Sequence, residues 1–261
     1  MKEAHANILM HFRPDERPFA LRCLDWVERA SNRNQMVLTP FLDPREQTIL
    51  ETIVRREPDL VFFADGGAAD AERRRAVIAP DYYSLDQAMF GLAFFRVESL
   101  SGKRLEHPDV LGALLGLGIK REKLGDIYPH SDGADIVVAE ELAEYIQMHV
   151  GQVGREHVNI IEISREILAL PEQMQSVRSI SVASLRLDAV VAESCRISRT
   201  KASMLVKNGK CKVNWKLVDQ PDYPVEIGDL LSVRGFGRIR VESIGGTSKK
   251  GRIWIKIVSF I

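Results

Sequence analysis

The sequence predicts an α+β protein in three parts. These are a helical N-terminal segment over residues 1–58, a middle domain with a split β-α-β order over 59–170, and a small basic module over 184–261, with 171–183 as a linker. Three observations predict it. Apolar residues recur at helical spacing through the first stretch. Short strand and helix patterns alternate as β-α-β-β-α-β from about Gly91 to Ser164. Finally, SRTKASMLVKNGKCKVN (Ser198–Asn214) changes from a helical to a two-residue period across Asn208-Gly209 while carrying five basic side chains.

Phe19, Leu21, Leu24, Trp26 and Val27 define the first helix. In TPFLDPREQTILETIV, Asp43 is placed to cap a second helix, Pro44 suits its first turn and Glu46 completes a capping box. Ile49, Leu50, Ile53 and Val54 then form its apolar face, so capping rather than catalysis accounts for the two carboxylates. LVFFA and RRAVIAP read as strands around the loop DGGAADAERR. GLAFFRVES is a strand, HPDVLGALLGLG a helix, GDIYPH and ADIVVA a hairpin turning at Ser131-Asp132-Gly133, AEELAEYIQMHV an amphipathic helix and HVNIIEIS a closing strand. That order is the ferredoxin-like split βαβ arrangement, which hosts RNA binders and many unrelated activities. LPEQMQSVRSISVAS has few large apolar residues and reads as the linker.

Composition bounds the function. With 45% hydrophobic and 28% charged residues the chain is an ordinary folded protein. The start lacks the apolar run of a signal peptide and no window approaches a membrane span. Cys23, Cys195 and Cys211 lie far apart with no CxxC pair, so neither a disulfide framework nor a zinc site is indicated and a cytoplasmic setting is expected. The net charge is zero, yet from Pro171 onward there are 16 Lys and Arg against 8 Asp and Glu. A basic C-terminal third on a neutral chain suits a nucleic-acid binder.

In that third, Ser184 is placed to cap a helix carrying Leu187, Val190 and Val191, and Ser198 to cap the next. On the second helix Ala202, Leu205 and Val206 share an apolar face, flanked by a stripe of Arg199, Ser203 and Lys207. Asn208-Gly209 stops it in a left-handed turn. Cys211 and Val213 then point inward and Lys210, Lys212 and Asn214 outward, so a basic helix stripe and a basic strand face are expected to meet at a corner. GRIRVES and GRIWIKIVSF read as paired strands joined by the basic loop GGTSKKG.

RLD at Arg186–Asp188, SRTKA at Ser198–Ala202, NGKCKVN at Asn208–Asn214, and Gly228-Asp229 followed by VRG come in fixed order, and together resemble the S-four (alpha-L) RNA-binding domain. With HFRPDERPF, FLDPREQ and the ferredoxin-like middle, nearly the whole chain resembles the YlmH-type proteins. The resemblance implies binding of structured rRNA or tRNA on the bacterial ribosome, on the large subunit carrying peptidyl-tRNA during quality control, with a possible link to cell-division proteins. The RNA contacts it implies are Arg186, Ser198, Arg199, Thr200, Lys201, Lys207, Lys210, Lys212, Asn214 and Arg234.

No catalytic, metal or cofactor residues are assigned. There is no glycine loop of a methyl-donor site, no GxxxxGK[ST], and no metal-ligand spacing among His5, His11, His107, His130, His149 and His157. GALLGLG fits close helix packing. The sequence therefore predicts a non-enzymatic RNA-binding factor. Two other classes stay open: an RNA-modifying enzyme (pseudouridine synthase or methyltransferase-like) that uses this module to deliver substrate, and an adaptor between translation and cell division.

Overall fold

Helix α1 (Arg17–Arg33) starts with a proline in its first turn and lines up Ala20, Cys23, Leu24, Val27 and Ala30 as its buried stripe. The stripe is built largely of small residues, and Leu21, which the spacing had placed with the apolar set, is exposed. The computed structural model that shows this describes residues 8–84, 86–170, 175–247 and 251–260. Strand β1 (Val37–Leu42) leads into α2 (Pro44–Val54). There the Asp43 carboxylate accepts the Glu46 N–H at 2.8 Å and the Glu46 carboxylate accepts the Asp43 N–H at 2.8 Å. A cap of this kind stabilises a helix by about 1 kcal/mol. Strands β2 (Leu60–Asp65) and β3 (Arg74–Pro80) complete an antiparallel sheet of order β1-β3-β2. α1 and α2 cover one face through Leu24, Val27, Leu50 and Ile53 packed on Ala76 and Ile78.

The boundary expected at residue 58 falls inside this layer, because β2 and β3 belong to the sheet that β1 begins. Pro40 and a bulge between Leu38 and Phe41 break the alternation of β1, which hid it as a strand.

Strand β4 (Leu92–Ser99), α3 (His107–Gly116), β5 (Leu124–His130), β6 (Gly133–Ala139), α4 (Ala143–His149), β7 (Gln152–Val153) and β8 (Glu156–Glu162) follow in the expected order. The sheet runs β5-β6-β4-β8-β7, with every neighbouring pair antiparallel. Without β7 this is the split βαβ order, with β6 between β4 and β5. Phe95, Val97, Ile136 and Val138 face the helices through Val110, Leu114 and Ile146.

On the opposite face of this sheet, strands β5, β6 and β4 are covered by the chain's own N-terminal half. Phe41, Ala68 and Ala71 pack on Phe94, Tyr128, Val137 and Leu168. A Cβ at Gly67, whose φ is +91°, would stand 2.5 Å from the Phe94 ring, so the approach requires glycine. Polar groups seal the seam. Asp126 accepts the Glu72 and Arg73 N–H groups at 2.6 and 3.2 Å. Buried Arg75 donates to Thr39 O and Gly91 O, and Arg165 grips Asp65 through two bonds of 2.6 and 2.8 Å. Asp135, with no exposed surface, accepts two bonds from Arg96 (2.8 and 2.9 Å) and the Ala169 N–H at 2.7 Å. These contacts make residues 1–171 one compact unit.

The second unit, 172–261, is a six-stranded antiparallel sheet with two helices on one face. Its elements are β9 (Gln175–Val182), α5 (Leu187–Cys195), α6 (Arg199–Lys207), β10 (Cys211–Val213), β11 (Lys216–Leu217), β12 (Leu230–Val233), β13 (Gly237–Thr247) and β14 (Ile253–Phe260), in the sheet order β11-β10-β12-β13-β14-β9. The segment expected as a linker is therefore mostly a strand. β9 pairs with β14 from Val182↔Ile253 to Gln175↔Phe260 and sends Ile180 and Val182 into the core. Two large apolar residues at period two suffice once a partner strand takes the backbone hydrogen bonds. Residues 171–174 of that segment, and 248–250 of the expected basic loop, lie outside the described residues.

Candidate nucleic-acid interface

Helix α6 is fixed at both ends by its own sequence. The Ser198 hydroxyl accepts the Lys201 N–H at 3.2 Å, as the cap reading expected. At the other end Gly209 takes φ +65°, its N–H reaches Val206 O at 3.0 Å and the Lys210 N–H reaches Leu205 O at 2.9 Å. This is the paired-bond stop that a left-handed glycine permits. Ala202 and Val206 are buried, while Met204 is 53% exposed on the outer side. Ser184 does not cap α5. Arg186 occupies that position without a side-chain cap bond, and the Leu187 and Asp188 N–H groups donate instead to Tyr223 O and Pro221 O.

Asp188 is 4% exposed and receives two of the three guanidiniums of the expected site. Arg186 reaches its two oxygens at 3.2 Å each, and Arg199 at 3.3 and 3.4 Å. Burial pushes the Asp188 carboxyl up, but the hydrogen bonds and charges of the two arginines outweigh it and hold the group below the usual carboxylate range. One carboxylate thus positions two arginines whose side chains stay about half in solvent. Nothing in the local sequence announced this role for Asp188.

Arg199 and Lys201 stand in the first turn of α6, which holds no acidic residue. Cations there oppose the helix dipole, a cost of about 0.3–1 kcal/mol each at exposed sites. Asp188 offsets it for Arg199. The Lys201 ammonium lies 5.9 Å from the centroid of Phe236, a residue the sequence reading did not single out. Thr200 is exposed between them. Lys207 is exposed at the end of the helix, and Lys210 O accepts the Arg234 N–H at 2.9 Å, which brings these two exposed cations together. Among the described residues, none of Lys207, Lys210, Lys212 and Arg234 is in an ion pair.

Two expected members of the site sit elsewhere. Lys212 lies between Cys211 and Val213, both packed in the core with Ala202 and Val206. By the pleat it points to the sheet face away from α6, so the corner of stripe and strand face does not form through Lys212. Asn214 turns with φ +48° between β10 and β11. Its amide donates to Asp229 at 2.8 Å and accepts the Leu230 N–H at 2.9 Å, so both ends of the side chain hold the hairpin. Ser198 is likewise engaged as a cap. Among the described residues no His, Cys, Asp and Glu cluster is arranged to hold a metal ion, and no helix is long and apolar enough to cross a membrane.

Residues 15–83 match the family model "YlmH, N-terminal", 87–166 match "Putative RNA-binding domain in YlmH" and 185–231 match "S4 domain". The "Ribosome-associated protein quality control protein P2" of Bacillus subtilis (strain 168) is 40% identical over 248 residues, which span 95% of this chain and 96% of that protein. The chain belongs to the YlmH family. A solved structure, "Cell division protein ylmH from Streptococcus pneumoniae", superposes with a TM-score of 0.56 at 22% identity, covering 60% of this chain and 97% of that one, and shares its fold. In this YlmH chain the S4 match ends within β12, so β9, β13 and β14 extend the sheet beyond the matched domain. The middle segment named for RNA binding has one sheet face under its helices and the other under Phe41, Ala68 and Ala71. At β8 that second face stays open, with Asn159 and Ile161 exposed.

Proposed function

We propose that this chain is a non-catalytic factor that binds structured RNA on the bacterial ribosome, on the large subunit carrying peptidyl-tRNA in ribosome-associated quality control. A cytoplasmic setting goes with that reading. The observation that carries it is the set of exposed cations Lys201, Lys207, Lys210 and Arg234 around α6 and the turn after it, none of them committed to an acidic partner among the described residues. The site residues we assign to RNA are these four with Arg186, Arg199 and Thr200; Ser198 and Asn214 support them from within the fold. The 40% identity to a ribosome-associated quality-control protein over nearly the whole chain supports the choice of partner. Phosphate contacts from such cations set affinity, and shape rather than base sequence sets selection.

The structure also chooses the variants for the test. Arg199 is tied to Asp188, so its reversal would disturb the fold, whereas Lys201, Lys207 and Lys210 can be changed to Glu with little structural effect. The triple variant, shown to melt like wild type, is compared for binding to a structured rRNA hairpin across salt concentrations and for co-sedimentation with large subunits. Binding should fall by at least tenfold and the slope of log affinity against log salt should flatten by about two to three, since each lost phosphate contact removes roughly 0.7–0.9. Wild-type affinity and slope in a folded triple variant would overturn the proposal.

A further inference from the structure

The face of the C-terminal sheet that points away from α5 and α6 carries its own pattern. Strand register places Lys212 opposite Ser232, Ser232 opposite Arg238 and Arg238 opposite Phe260, so these share one row on that face. One pleat further along lie Arg240, whose guanidinium is 5.2 Å from the centroid of the Phe260 ring, then Lys256 and Trp254. Arg238, Arg240, Lys256 and Lys212 are all exposed, and Trp254 is 48% exposed. Glu242, paired with Lys256 at 2.8 Å, stands as the acidic counterpart. Among the described residues Lys212 and Arg240 are in no ion pair, and Trp254 and Phe260 add two aromatic rings to the same face.

From these residues we infer that this reverse face is a second RNA surface, a stacking platform for a single strand. The site lies on the opposite side of the sheet from the cations around α6, and it stands whether or not those bind structured RNA. Neighbouring strands are about 4.8 Å apart, so Lys212, Arg238 and Phe260 span roughly 15 Å across the sheet. Trp254 and Phe260 are separated by about 20 Å along β14 at roughly 3.4 Å per residue. An area of this size fits about four nucleotides, the lower end of site sizes for proteins that stack bases on aromatic rings and track phosphates with cations. Phosphates would meet Arg238, Arg240 and Lys212, and bases would stack on Trp254 and on the Phe260 ring. A protein partner adding a strand would need a sheet edge, and these residues lie on the face. Lys212 and Arg240 also suit a polyanion better than an apolar protein surface.

The test uses the full chain and two labelled probes: an unstructured RNA of about 12 nucleotides, within the range of such sites, and the structured hairpin. Trp254→Ala should weaken binding of the unstructured probe by about tenfold, and Trp254→Phe should retain most of it because a ring remains. Arg240→Glu should weaken it and flatten the salt slope by about 0.7. Lys207→Glu should leave this probe within about twofold of wild type while weakening the hairpin, whereas Trp254→Ala should leave the hairpin unchanged. Near-UV circular dichroism establishes that each variant is folded. Wild-type affinity for the unstructured probe in folded Trp254→Ala and Arg240→Glu would overturn the inference. So would an equal loss on both probes in every variant, since that describes one surface rather than two.

Discussion

Asp188→Asn isolates what the buried carboxylate does for its two arginines. The substitution keeps the shape of the side chain but removes its charge and turns one acceptor into a donor, which then faces a guanidinium that also donates. Asp188 is buried, and a mismatched buried polar group costs about 1–3 kcal/mol. Both guanidiniums reach solvent and can rehydrate, so the lower part of that range applies and the expected loss is about 1–2 kcal/mol. The pH dependence has a definite sign. The folded carboxyl titrates below its unfolded value of about 3.9, so its contribution is fully present above that pH and is lost as pH falls through the folded value. Urea denaturation of wild type and variant should therefore differ by the full amount at neutral pH and converge as the pH falls through the folded value. A variant as stable as wild type at pH 7, or a gap that persists unchanged into acid, would refute the reasoning. RNA affinity discriminates further. If the carboxylate acts by holding the arginines in place, affinity for the structured hairpin falls by a factor that salt does not change. Salt-sensitive tightening would show that their charge alone matters.

Asn214→Ala should cost about 2 kcal/mol in urea denaturation, because it loses the bonds to Asp229 and Leu230 that let a residue with a Cβ hold positive φ here. Asn214→Gly should cost less, since glycine restores the backbone conformation, and neither should change the RNA affinity of the folded fraction. Asp135→Ala, which leaves Arg96 and the Ala169 N–H without their buried acceptor, should destabilise the N-terminal unit by about 3 kcal/mol. Hydrogen exchange at Ala169 should accelerate in that variant beyond the global change, reporting release of residues 165–170 from the sheet.

What the sequence disclosed follows from how local each signal is. The α2 cap was legible because Asp43 and Glu46 are three residues apart and both bonds stay within one turn. The split βαβ order was legible because each strand of the middle domain alternates or runs apolar by itself, and the stop of α6 because Asn208-Gly209 has few other uses. β9 was not, since Ile180 and Val182 among serines become a strand through pairing with β14, some seventy residues later. Lys212 shows the limit most clearly. Its alternation with Cys211 and Val213 was plain, but which face the helices cover is a property of the assembled sheet, and it moves Lys212 from the α6 surface to the reverse one. Asp188 was quoted as part of a motif, yet its work depends on Arg199, eleven residues away and on another helix.

A split βαβ sheet ordinarily keeps one side dry and the other wet, but here strands β5, β6 and β4 are covered on both sides, while β8 exposes Asn159 and Ile161 on the second face. Phe94, Tyr128 and Val137 find cover in Phe41, Ala68 and Ala71, contributed by residues on the other side of the gap between the two matched segments 15–83 and 87–166. The division by homology is therefore not a division by folding. Cutting the chain near residue 85 would uncover Phe94, Tyr128 and Val137. A rearrangement that preserves this packing must carry both segments as a single cassette.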